Sequence, residues 1–166
     1  MRRLRLALVT HLQSTHVARV VYGAMIGLAL VVALQAHPPG AGTVAALIIG
    51  TAVAVGLAEL YSDWIGHVLK HRGGFHRRDL RHIAADVSAV AVGIVFPDVF
   101  FLMATVGVMS LDTAFTVAKW SGLALITLYG YAAGRLSGES RSRSALQALA
   151  VTAIGIALIG FKALVH

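Results

Sequence analysis

Cysteine is absent from the 166 residues, which excludes disulfides, thiolate metal centres and cysteine nucleophiles. Acidic side chains number only seven, against 14 Lys and Arg, and charged residues of both signs make up 13% of the chain. A soluble domain carries about a quarter charged residues, so a water-facing globule is excluded. Proline occurs three times, twice in the pair Pro38-Pro39 and once at Pro97, which leaves long stretches free of helix breakers. No glycine-rich phosphate loop, Gly-x-Ser-x-Gly elbow or nucleotide fingerprint is present. What the chain does contain is apolar: 58% of it is hydrophobic, with a mean hydropathy of +0.80. That content also excludes disorder. A formal charge of +7 would suit nucleic acid, but basic residues flanking long apolar runs are explained by membrane topology. The reading is an all-α, polytopic membrane protein of one domain, with membrane lipids and not nucleic acid as its surroundings.

A bilayer is crossed by about 20 helical residues. Apolar runs of that length predict five spans near 17–35, 43–69, 82–109, 113–136 and 144–165. The second and third are over-long and must tilt or project beyond the lipid. His37-Pro38-Pro39-Gly40 breaks the chain after the first span, and the short connection at Ser110-Leu111-Asp112 predicts Asp112 as a helix N-cap. Pro97, within Phe96-Pro97-Asp98, predicts a kink in the third span. Met1-Arg2-Arg3-Leu4-Arg5 has the charge of a signal peptide, but the polar stretch His11–His16 interrupts any apolar region, so the segment reads as an amphipathic lead-in. Twelve of the 14 basic residues fall on one side of a five-span arrangement: Arg2, Arg3, Arg5 and Arg19; Lys70, Arg72, Arg77, Arg78 and Arg81; Arg135, Arg141 and Arg143. The positive-inside bias therefore places the N-terminus in the cytoplasm and the C-terminus outside; in a bacterial cell the location is the cytoplasmic membrane. The basic loop around Arg77–Arg81 also attracts anionic head groups, at about 1 kcal/mol per residue. Gly23 with Gly27, and Gly130 with Gly134, mark faces where helices approach closely, either within one chain or between two copies.

Charge inside a membrane helix is costly and points to function. Glu59, Asp63, His67 and His71 recur every four residues and share one face of the second span. After the turn Arg72–Arg78, His82 and Asp86 repeat the spacing at the start of the third, so an antiparallel pair brings both sets to one seam. Carboxylates with imidazoles suit Fe, Mn, Zn or Co. Glu59, Asp63, His67, His82 and Asp86 are thus the candidate metal ligands. The competing reading is a set of ion pairs with Lys70, Arg78 or Arg81; for His71 and His76, beside the basic loop, an interfacial role is the expectation. Asp98 and Lys119 are the remaining intramembrane charges. Either they pair, or Asp98 lines a pathway at the kink.

Several segments resemble the vacuolar iron transporter family. They are Arg19-Val20-Val21-Tyr22-Gly23, Gly56-Leu57-Ala58-Glu59-Leu60-Tyr61-Ser62, Gly93-Ile94-Val95-Phe96-Pro97, and Gly134–Ser140 with the final span after it. The resemblance implies a five-span homodimer that carries iron and supports Glu59 as a metal residue. The chain departs from the family in having Ala24-Met25-Ile26 where an Asp follows Tyr-Gly, Val55-Gly56 where a Met precedes the second-span Glu, and only Lys70–Arg81 in place of a cytoplasmic metal-binding insertion.

These observations predict a divalent-metal (Fe, Mn, Zn or Co) transporter, not an enzyme, with proton exchange through His67 or His82. Alternatives are a membrane oxidoreductase, using metal at a His67-x-x-x-His71 box or haem between His67 and His82, and a structural or lipid-interacting subunit whose charges are only ion pairs. The topology is directly testable because the chain has no native cysteine. A cysteine introduced at Gly40 should react in intact cells with a membrane-impermeant maleimide, and one at Ser140 only after lysis; the reverse pattern refutes the orientation.

Overall fold

The computed structural model describes the backbone of residues 2–70 and 77–165, with side-chain detail for 16–66, 83–157 and 159–160. Among the described residues there is no strand. The helices are α1 (Arg2–Leu34), α2 (Ala41–Lys70), α3 (Arg77–Val95), α4 (Asp98–Thr105), α5 (Leu111–Leu136) and α6 (Arg141–Val165). Two are by themselves long and apolar enough to cross a bilayer, His16–Leu34 within α1 and Ala41–Gly66 within α2. Ile83–Val95 and Asp98–Thr105 together make a third such unit, bent by 51°. Helices α5 and α6, of 26 and 25 residues, have the length to cross a bilayer at a 1.5 Å rise per residue.

The kink expected at Pro97 is therefore a full break into two helices. Proline has no N–H to return to the carbonyl of Gly93, and the chain restarts as α4 one residue later. A second expectation is corrected at the start of α5. Ser110, not Asp112, is the N-cap: its hydroxyl accepts the Thr113 N–H at 3.2 Å, while Asp112 lies in the first turn. The shorter Ser side chain reaches back to the free N–H groups from the extended backbone that a cap requires, and a carboxylate within the first turn still meets the positive end of the helix dipole. Both other turns close on glycine. Gly107 and Gly138 each have φ 79°, and the following residues donate back into the last turn: Val108 N–H to Met103 O at 2.9 Å, and Glu139 N–H to Gly134 O at 3.1 Å.

Contacts between the helices give an alternating bundle. Gly23 of α1 meets the backbone of Val90 on α3, and Gly27 meets Ile94, whose carbonyl oxygen lies 2.9 Å from where a Cβ would sit. From the other side, Gly93 lies against the backbone of Val20, Gly23 and Ala24. The pairs advance together along both chains, so α1 and α3 run parallel and cross backbone to backbone. Helix α2 runs the opposite way. Its start packs with Phe101 of α4 and Phe115 of α5 in a cluster holding Val44, Ala45, Ile48, Val90 and Ile94, and the two rings meet edge to face at 4.9 Å. Helix α5 returns antiparallel to α1 through Ile126, which packs with Ala24, Leu28 and Val32. Helix α6 folds back along α5, with Gly134 against Ser144 and Thr127 hydrogen-bonded to Thr152 at 2.7 Å.

Both small-residue pairs thus serve packing within the chain. The outer faces carry exposed Leu57, Trp120, Leu128, Leu146, Leu149 and Ile154, as lipid-facing surfaces do. Gly23→Ala should cost about 1–3 kcal/mol, because the new methyl meets fixed backbone and not a movable side chain. Gly50→Ala, with nothing within 4 Å, should be neutral or stabilise α2 by up to about 1 kcal/mol. Thermal unfolding in detergent checks the pair; equal effects would refute the close crossing.

Candidate functional site: a carboxylate cluster around Arg19

The α1–α3 crossing has a polar end. Arg19 precedes Gly23 and Gly27 at four-residue spacing, so it lies on the face of α1 that packs against α3. Asp86 stands in the same relation to Val90 and Ile94 on α3. The glycine contact therefore draws the two together: Arg19 Nη2 lies 3.5 Å from Asp86 Oδ2. Helix α2 adds two more carboxylates from one of its faces. Arg19 Nη1 donates to Glu59 Oε2 at 2.6 Å, and Nη2 donates to Asp63 Oδ2 at 3.4 Å. The guanidinium fork, with five donors in one plane, is suited to holding several carboxylates at once. His16, one turn before Arg19, reaches Asp86 Oδ1 with its Nδ1 at 3.5 Å.

The cluster lies one helical turn beyond the glycine crossing, near the middle of α1. Arg19, Glu59 and Asp86 side chains are 23% exposed and Asp63 is 29% exposed, so all are partly shielded from water but reachable. Tyr61 and Trp64, on the outer face of α2 at the same level, stack edge to face at 6.4 Å. Exposed aromatic pairs of this kind sit at the head-group depth of a bilayer.

Of the five residues expected to bind metal, Glu59, Asp63 and Asp86 come together, and they do so around Arg19. The side chains of His67 and His82 lie outside the described residues, as do those of His71, His76, Lys70, Arg78 and Arg81 and the turn 71–76. Among the described residues no group of three His, Asp or Glu is arranged to hold one ion. The guanidinium stands among the carboxylates, so its N–H groups take up oxygens that a metal would use. The expected convergence of the α2 and α3 acids is present, but through an α1 cation that does not belong to the expected ligand types. Its signal was in the chain: Arg19, Gly23 and Gly27 share one helical face, and a charge on a close-packing face must meet a partner on the helix it packs against.

Asp98 is placed differently. It is 1% exposed, at the first turn of α4, and neither carboxyl oxygen has a hydrogen-bond partner. The pairing with Lys119 does not form among the described residues, because no contact to Lys119 lies within ion-pair distance.

Comparison with protein-family models, characterised proteins and solved structures finds no match to this chain.

Arg19→Gln should destabilise the fold by about 2 kcal/mol or more, because three partly buried carboxylates lose their common partner. Arg19→Lys should fall between the two, since a single ammonium cannot span all three. Thermal unfolding of the three proteins in one detergent checks the order, and an unchanged midpoint for Arg19→Gln refutes the clasp.

Proposed function

We propose that this chain is a five-span carrier of divalent metal ions, its N-terminus in the cytoplasm, with the Glu59–Asp63–Asp86 cluster as the cytoplasmic ion-collecting site. The observation that carries this reading is a charge imbalance. Among the described side chains three carboxylates share one guanidinium, which leaves two negative charges in surplus when all three are ionised and His16 beside Asp86 is neutral, at a place only partly open to water. A divalent ion matches that surplus. Oxygen ligands with nearby imidazole suit Fe, Mn, Zn or Co, and His67 and His82 on the same two helices would extend the set. The resemblance to vacuolar iron transporters points the same way and implies a homodimer. Arg19 then acts as the resident counter-ion. It occupies the carboxylates while the site is empty and must swing away as the metal arrives, so ion binding and separation of α1 from α2 are coupled. Exchange for protons through His67 and His82 would complete the cycle.

A second reading has its own observation. Arg19 reaches three acids on two helices, and α1 and α2 scarcely touch elsewhere, so the cluster serves as a clasp that holds α2 to the α1–α3 pair. On that reading the charges only pair, and the protein has a structural or lipid-facing role.

Elemental analysis and metal titration of detergent-purified protein separate the two. The metal reading expects near-stoichiometric Fe, Mn, Zn or Co in the wild type, lost in the Asp63→Asn/Asp86→Asn variant. It also expects affinity raised by ~10-fold in Arg19→Gln, equivalent to about 1.4 kcal/mol, because the competing cation is gone. No metal in any of the three after loading would leave the clasp alone standing.

A further inference from the structure

The cluster at Arg19 accounts for three of the seven acidic residues. Asp98 belongs to none of the interactions described so far. Its carboxyl group is enclosed at the break between α3 and α4, both oxygens are unpartnered, and its chain neighbours Ile94 and Phe101 belong to the apolar core shared with α2 and α5. An ionised carboxylate in such a place costs far more than a neutral acid; the positive end of the α4 dipole offsets part of that cost, but no hydrogen bond or opposite charge does.

The charged and titratable groups on the elements that pack against α4 do not change this. Among the described side chains, helix α2 carries Glu59 and Asp63, both held by Arg19, and Tyr61 on its outer face. Among the described side chains of helix α3 the charged one is Asp86, held by Arg19 and His16. Helix α5 carries Asp112, Lys119, Tyr129, Tyr131 and Arg135, and none of these contacts Asp98. Asp98 also lies 12 residues beyond Asp86 along the third span, roughly 18 Å of helical rise, well separated from the interfacial cluster. The backbone at this point is the weakest in the span, since Pro97 leaves the Gly93 carbonyl without its usual donor and the two helices diverge by 51°.

We infer that Asp98 is an intramembrane proton-binding site: its carboxyl holds a proton at neutral pH in this closed arrangement and releases it when water reaches the bend at Pro97. The inference rests on burial and the lack of any partner, and it stands whether or not the Arg19 cluster carries metal.

Infrared spectroscopy of the full chain in lipid nanodiscs at neutral pH reads the protonation state directly. A protonated carboxylic acid gives a C=O stretch, distinct from the carboxylate and amide bands, that shifts in D2O. The wild type should show this band, and Asp98→Asn, with helical content preserved, should lack it. Absence of the band from the wild type, or its persistence in the variant, overturns the inference. Should Asp98→Asn fail to fold, wild-type protein labelled with 13C at the aspartate side-chain carboxyl takes its place. The band must then move with the label and survive Asp79→Asn in the labelled protein, because Asp63 and Asp86 are ion-paired and Asp112 is exposed. A band that does not move with the label refutes the assignment. Metal titration of the same samples should be unaffected by Asp98→Asn at the Arg19 cluster, so failure of the metal reading and failure of this one give different results.

Discussion

The backbone contact between α1 and α3 is the constraint on which the remaining structure depends. In a bilayer the lipid tails are as apolar as leucine, so helices associate by close packing and not by escape from water. Gly23, Gly27 and Gly93 remove the side chains that would hold the two helices apart, and carbonyl oxygens of each lie where a Cβ of the other would be. Because the contact involves backbone from both partners, it fixes register as well as distance. Sliding one helix by a residue would turn these glycines away and drive Val20 or Ala24 into the same space. The parallel direction of α1 and α3 then forces α2 to run back between their ends, and α5 to return along the other side of α1.

That register also arranges the charge. Arg19 continues the Gly23–Gly27 face by one turn towards the helix end, and Asp86 continues the Val90–Ile94 face in the same direction. A packing device and an ion-pair device are thus parts of one surface, apolar and close at depth, charged and more open at the end. The chain manages its acidic residues in two ways along this line. Where water is near, three carboxylates are gathered on one guanidinium; where it is not, Asp98 stands alone. The first arrangement leaves surplus negative charge that a cation can use. The second leaves a group that favours its neutral form. On the proposed carrier reading the two places have different roles, one collecting an ion and the other changing charge, and both include residues of the broken third span.

The membrane character, the helical class and the broad helix positions follow from one-dimensional patterns: runs of apolar residues, the proline pair after the first helix, and Pro97 in the third. Local rules read well wherever a single residue type has one strong effect, as at Pro97. They read less well where neighbours compete, as at Ser110 and Asp112, which are both good caps; the extended backbone at Ser110 decided the outcome. The four-residue spacing of Glu59 and Asp63, and the matching position of Asp86, mark these acids as a group from residue order alone. Their partner is harder to see because Arg19 lies 40 residues from Glu59 and 67 from Asp86, and along the linear chain it counts only towards the basic side of the membrane.

By itself, then, the sequence determined that this chain is helical and membrane-bound and which acidic residues share a helix face, because both properties depend on composition and on spacings shorter than one helix. Only the tertiary structure decided what those acids meet and which of them meets nothing. Pairing between helices depends on which faces pack, and that was set by the absence of side chains at Gly23, Gly27 and Gly93. From that contact came Arg19 within reach of three carboxylates, and Asp98 left enclosed, with no charge beside it, at the bend of the third span.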